Sequence, residues 1–210
     1  MNKKIAIIGG GNLGSAIAEG LIQSGFISPG QILITKRNIA TLRSLEERGV
    51  LISKDNADAL RFADLVILAI KPFQVKDVLN GLKSDFDKKR HILVSVITGV
   101  STGDIREMLN NDLSIVRAMP NTAIAIQESM TCISARDVSE EQLSYVKEVF
   151  EQLGRVVIIE EKLMDAATVL AACGTAYAMR YIRANIQGGI EIGFDATTAR
   201  LIAAQTVKGA

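Results

Sequence analysis

Residues 9–14 read Gly9-Gly10-Gly11-Asn12-Leu13-Gly14, which fits the spacing G-x-G-x-x-G. Glycines so placed suit phosphate binding when a strand precedes them and a helix follows. Gly9 lets the chain turn off the strand, Gly11 lets backbone approach a pyrophosphate, and Gly14 lets the helix lie close to the strand. The helix start then offers unpaired N–H groups and the positive end of its dipole to the anion. Both flanks agree. Ile5-Ala6-Ile7-Ile8 is an apolar run that reads as a buried parallel strand, and from Ser15 onward small and apolar residues follow helical spacing. Ile8, Gly9, Gly10, Gly11, Asn12, Leu13 and Gly14 are therefore expected to hold a dinucleotide.

A second constellation follows Ile32-Leu33-Ile34. An NAD site usually carries Asp or Glu about 20 residues past the glycines, to bind the ribose 2′-hydroxyl. Here the place reads Thr35-Lys36-Arg37, a hydroxyl, an ammonium and a guanidinium with no carboxylate. Such a set suits a 2′-phosphate, so NADP(H) is the expected cofactor. No catalytic dyad is visible, and no His/Cys/Asp cluster has metal-ligand spacing. His91 is the only histidine. It follows Asp87-Lys88-Lys89-Arg90 at a strand entry, at the end opposite the expected cofactor site, and reads as structural. Asn121 and Thr122 follow the strand of residues 114–117, where a pocket position and a tight turn are both open readings.

Alternating elements position these residues. Apolar runs at 32–34, 50–52, 65–70, 92–97, 114–117, 131–133 and 156–159 are separated by helical patterns, one of them near 139–153. The pattern predicts an α/β protein of the doubly wound, Rossmann type, with a mostly parallel sheet and ligands at the carboxyl ends of its strands. Residues 1–160 form that domain. Beyond it, residues 164–187 are Ala-rich and apolar on nearly every face, which predicts a helix buried on most sides. Residues 188–193 are Gly-rich, and Asp195 is placed to cap a further helix from Ala196. Residues 161–210 thus read as the start of an all-helical dimerisation domain, incomplete at Ala210.

The chain has 210 residues and a net charge of +1, which gives no electrostatic case for nucleic acid or an anionic membrane. No apolar run reaches membrane-spanning length. Cys132 and Cys173 lack C-x-x-C spacing and read as buried small hydrophobes in a reducing, cytoplasmic setting.

Five stretches together resemble the pyrroline-5-carboxylate reductase family: Ile8 to Leu13; Asn56 followed by Ala63-Asp64; Leu68-Ala69-Ile70-Lys71-Pro72; Arg117-Ala118-Met119-Pro120-Asn121-Thr122; and Asp165 to Thr168 running on to Ala176-Tyr177. The resemblance is colinear over nearly the whole chain. It implies an N-terminal NADP-binding domain, a C-terminal helical domain interleaved with a partner subunit, and reduction of a small cyclic imine to proline by hydride from NADPH. It also implies that Asn56, Ala69, Ile70, Lys71 and Pro72 line the cofactor near its ribose and nicotinamide. Two departures stand out. Thr175 occupies a position where the family usually has proline, and it joins Asn121 and Thr122 as a candidate for the substrate pocket. The family's Gly- and Thr-rich loop for the substrate carboxylate lies beyond the helix that ends at Ala210. Two other readings stay open: another NADP-dependent imine or hydroxyacid reductase of this fold, or a non-catalytic dinucleotide-binding regulator. The absence of lysine from residues 164–187 argues against the hydroxyacid group.

Overall fold

The computed structural model describes residues 4–210. Its apolar runs become β1 Ile5–Ile8, β2 Ile32–Thr35, β3 Leu51–Ser53, β4 Leu65–Leu68, β5 Ile92–Ser95, β6 Ser114–Met119, β7 Ser129–Arg136 and β8 Gly154–Ile158. They make one sheet in the order β3-β2-β1-β4-β5-β6-β7-β8. Neighbours are parallel, except that β7 runs antiparallel to β6, with Met119 opposite Cys132. The order steps outward from β1 in both directions, so the chain reverses its winding between β1 and β4, where such sheets open a crevice.

Side chains of one strand alternate between faces, and here both faces are covered. Ile5, Ile7, Ile32, Ile34, Leu65 and Ile67 pack with Ile17 and Leu21 of α1 (Asn12–Gln23) and with Val146, Val149 and Phe150 of a helix at Glu140–Glu151. Ala6, Ile8, Leu33, Val66 and Leu68 face the other way. They meet Leu60, Leu79 and Ile105 from helices at Asn56–Phe62, Val75–Leu82 and Thr102–Leu109. With Arg43–Glu47 as α2, these helices are α3 (56–62), α4 (75–82), α5 (102–109) and α6 (140–151) in chain order. Each fully buried Ile or Leu stabilises the layer by about 1.5–3 kcal/mol, which is why unbroken apolar runs end up as central strands.

Strand limits differ from the sequence expectation where polar residues are buried. β7 starts at Ser129 and ends at Arg136, well outside 131–133, because Ser129 and Thr131 are buried and satisfy each other at 3.3 Å. β5 stops at Ser95, and Val96 and Ile97 belong to the loop beyond it.

Residues 164–187 do not form one helix. Met164–Ala167 is a single turn (α7), and Thr168–Ala172 widens to a π-helical segment. Regular helix resumes only in α8, Gly174–Glu191. The Gly-rich residues 188 and 189 do not end it, since α8 runs through them to Glu191. There Gly189 faces Ala199 of α9, Ala196–Gly209, closely enough that an added Cβ would sit 3.2 Å from the alanine methyl. Asp195 caps α9, its Oδ1 accepting from Thr197 N and Thr198 N at 3.0 and 3.1 Å.

The chain divides into two units, one ending at Ala172 and the other comprising Cys173–Ala210. In the first, Met164 and Ala167 pack on Met119 and Cys132 of the sheet. In the second, no residue of α8 is buried, and Tyr177, Met179, Tyr181, Leu201 and Ile202 are exposed in a single copy of the chain. A two-helix unit has no third layer to cover its apolar faces, which fits the helical dimerisation domain expected from the sequence.

Candidate active site: a cleft at the carboxyl ends of the strands

A cleft of about 1200 Å³ opens at the carboxyl ends of β1, β2, β4, β5 and β6. Its floor is the glycine turn. Gly9 has φ +109°, and an added Cβ would collide with the Ala69 carbonyl; Gly9 N and Gly10 N donate to Thr35 O at 3.1 and 2.8 Å. A methyl at Gly11 would meet no atom within 4 Å. Gly11 is also the N-cap of α1 and offers no side-chain acceptor, so the first-turn amides of the helix face the cleft without a capping group. Open space above bare N–H groups at a helix start fits an anionic diphosphate.

Gly9, Gly10, Gly11, Asn12 and Leu13 line the cleft. Ile8 and Gly14 do not. The Ile8 side chain is buried among the residues of the sheet's second face, and Gly14 packs beneath the turn, against Gly9 O and Ile7. Both shape the turn from below.

Past β2, Lys36 and Arg37 line the cleft, and neither makes an ion pair among the described residues. Thr35 lines the cleft as well. It is buried, and its hydroxyl donates to Asn56 Oδ1 at 2.6 Å, so its proton is committed to Asn56 rather than held out as a phosphate donor. Asn56 opens α3 behind the Asp55 cap and also lines the cleft. Ala69, Ile70, Lys71 and Pro72 form the wall beyond β4. Ala69 N donates to Ile8 O at 2.8 Å, which holds this wall against the glycine turn.

The remaining walls come from Val96, Ile97 and Thr98 after β5, from Pro120, Asn121 and Thr122 after β6, and from Ala172. Asn121 Oδ1 accepts from Ala123 N at 3.1 Å and caps a 3-10 turn at Thr122–Ile126, while its Nδ2 donates to Ala171 O at 3.3 Å. Its carboxamide thus holds the wall together. Thr175 lies in the first turn of α8, in the second unit, and is not part of the cleft lining. Thr98 was not singled out from sequence; the rule that ligands sit just past strand ends would have found it.

Among the described residues the lining contains three cations, Lys36, Arg37 and Lys71, and no carboxylate, imidazole or thiol. His91 is 2% exposed at the other end of β5. Its Nδ1 accepts from Asp87 N and its Nε2 donates to Leu60 O, both at 2.9 Å, which fixes a neutral tautomer. Burial lowers its pKa from the ordinary value. No group of His, Cys, Asp and Glu among the described residues could hold a metal ion.

A family model described as NADP oxidoreductase, coenzyme F420-dependent, matches residues 4–99, and one described as pyrroline-5-carboxylate reductase dimerisation matches residues 161–210. Two pyrroline-5-carboxylate reductases of Dictyostelium discoideum are similar throughout. Reductase 1 is 42% identical over 98% of this chain, and reductase 2 is 40% identical over all of it. The chain spans 39% of the length of the first and 75% of the second. The chain belongs to the pyrroline-5-carboxylate reductase family. Solved structures agree. The Coxiella burnetii reductase superposes with a TM-score of 0.93 at 32% identity, covering 100% of this chain and 78% of that one. A Plasmodium falciparum pyrroline carboxylate reductase with NADP bound gives 0.88 at 28% identity, covering 98% and 76%.

Proposed function

We propose that this protein reduces 1-pyrroline-5-carboxylate to proline and takes its hydride from NADPH in preference to NADH. Family membership supports the reaction. The observation that carries the cofactor preference is the unpaired Lys36 and Arg37 at the end of β2, with no carboxylate beside them. When bound, the nicotinamide supplies the hydride. Gly11 and the first turn of α1 would hold the diphosphate, Arg37 and Lys36 the 2′-phosphate, and Asn56 the ribose side, with Ala69 to Pro72 as the flanking wall.

The chain's own task at the reacting centre is positional. An iminium carbon is already a strong electrophile, so holding it at near-attack distance and excluding water suffices for hydride transfer. The proton on nitrogen arrives with the substrate, consistent with a lining whose polar side chains are cations and neutral groups, with no carboxylate or imidazole among them. We assign Asn121 and Thr122 to the substrate end as wall residues, and leave Thr175 as a candidate contributed from the helical half.

By the same reading, residues 1–160 are the cofactor domain, and residues 161–210 are the helical half that associates with a second copy. No helix of the described residues is long and apolar enough to cross a membrane. We place the protein in the cytoplasm, with both cysteines as free thiols; Cys132 is buried as expected, whereas Cys173 is exposed.

The test is oxidation of NADPH and of NADH with the cyclic imine, run beside direct binding of each nucleotide. Faster turnover and tighter binding with NADPH are expected. Binding of NADPH without turnover of the imine would remove the proposed substrate, and equal binding of the two nucleotides would remove the 2′-phosphate site.

A further inference from the structure

At the β5–β6 end of the cleft three separate segments make the walls: Val96 to Thr98, Pro120 to Thr122, and Ala172. One carboxylate is tied to the stem of each. Glu161 Oε1 accepts from Thr102 N at 2.8 Å and from Arg117 Nη1 at 3.2 Å, and Oε2 accepts from the Thr102 hydroxyl at 2.5 Å. Thr102 opens α5 just beyond the Val96–Thr98 loop. Arg117 sits in β6 just before Pro120. Glu161 itself leads into the run whose Met164 and Ala167 pack on Met119 and Cys132, and whose Ala171 carbonyl accepts from Asn121. The Arg117 side chain is 6% exposed and that of Glu161 27%. Glu161 is the one anion paired with this buried guanidinium among the described residues, and Arg117 Nε has no partner. Glu161 makes no contact with the cleft: it is not among the lining residues.

We propose that Glu161 is a positioning residue for imine reduction, fixing the spacing of the three walls between which the ring is held without touching substrate or cofactor. The inference rests on the reaction proposed above. The cofactor end hangs on different elements, since the glycine turn and the Lys36–Arg37 pair stand on β1 and β2. Glu161 therefore governs geometry at the reacting centre and leaves nucleotide binding alone. Misplacement by about 1 Å at a reacting centre costs on the order of a hundredfold in rate, so a remote carboxylate that sets three walls has a large lever.

The test uses Glu161→Gln, nearly isosteric but unable to accept from Thr102 on both oxygens, and Thr102→Val, which removes a single hydrogen bond and serves if the first variant does not fold. The expected result for Glu161→Gln is a fall in kcat of about 10- to 100-fold, with NADPH Kd changed by less than about twofold and Glu161→Asp recovering part of the loss. Thr102→Val shifts kcat in the same direction by less. Amide hydrogen exchange in the NADPH-bound protein reads the walls without turnover. It rises together at residues 96–98, 121–122 and 171–172, and stays unchanged at 11–14. Wild-type kcat in both variants, or exchange that rises evenly over the chain, would reduce Glu161 to a stabilising contact. Failure of the wild type to reduce the imine counts against the reaction, while the exchange pattern still decides the positioning.

Discussion

The Thr35 hydroxyl donates to Asn56 Oδ1 at 2.6 Å, so the last residue of β2 aims the first residue of α3 at the cleft. With its carbonyl oxygen occupied, Asn56 is left with its amide as a donor, and Thr35 lines the cleft beside it. Thr35→Val should weaken NADPH binding by about 0.5–1.5 kcal/mol, the net worth of one hydrogen bond. Asn56→Ala should cost at least as much, and the double variant no more than Asn56→Ala alone. Calorimetric titration of the three variants checks this; strictly additive losses would detach Thr35 from Asn56.

Arg37→Ala should weaken NADPH by about 1.5–3 kcal/mol and leave NADH nearly unchanged, because only the phosphorylated ribose has a group for the guanidinium. Arg37 is exposed, so the loss should shrink toward the lower figure as salt is raised. Equal losses for both nucleotides would place Arg37 elsewhere.

Two glycines of one turn should respond oppositely. Gly14→Ala puts a methyl against the Gly9 carbonyl and 3.1 Å from Ile7 Cγ2, and should destabilise the fold by about 1–3 kcal/mol as an overpacked contact. Gly11→Ala fills open space and should leave the melting temperature almost unchanged, while nucleotide affinity falls by about tenfold or more, ~1.4 kcal/mol. Thermal melts beside binding titrations separate the two effects.

His91 should make the fold sensitive to mild acid. Its pKa is lowered in the folded chain by burial, so between that value and the ordinary imidazole value of about 6.5 the unfolded chain binds more protons. The stability contributed by neutral His91 is whole above about pH 6.5 and is lost as pH falls toward the folded value. Denaturant midpoints measured from pH 8 down to pH 5 should decline on the acid side. His91→Gln keeps a donor for Leu60 O and should flatten that part of the curve.

Association should run through the helical half. Tyr177, Met179, Leu201 and Ile202 are exposed in a single copy, and apolar surface of this extent calls for a cover. Sedimentation at micromolar concentration should show at least a dimer, and Leu201→Asp with Ile202→Asp should shift it toward monomer. A wild-type monomer would contradict this.

The parts of the fold legible in sequence are those carried by local chemistry. Gly9 to Gly14 announced a turn because the backbone there tolerates no Cβ at two places. The strands announced themselves because both faces of the sheet are covered. Thr35 lines the cleft as its position suggests, but its bond to Asn56, 21 residues on at the start of α3, is revealed by no pattern in β2. The break after Ala167 carries no glycine or proline signal. It arises where Met164 and Ala167 settle on Met119 and Cys132 and where the Ala171 carbonyl is taken by Asn121, both contacts distant in sequence. Glu161 was invisible for the same reason, since its partners lie 44 and 59 residues away.

The reversal of direction between β6 and β7 has a consequence for how this cleft can change over evolutionary time. At the glycine turn, Gly9 and Gly14 are hemmed in by neighbouring backbone, and a side chain at either would force the turn and α1 to move. At Pro120 to Ile126 the chain instead doubles straight back to the next strand, with no crossover helix between them. Ile124 is buried in the core beside α1 and anchors this segment, while its exposed residues Ala125 and Ile126 can change without moving the sheet. The two ends of the cleft therefore accept mutation unequally: Gly9 and Gly14 are held by backbone packing, whereas beyond β6 the tolerance is confined to the exposed tip of one connection.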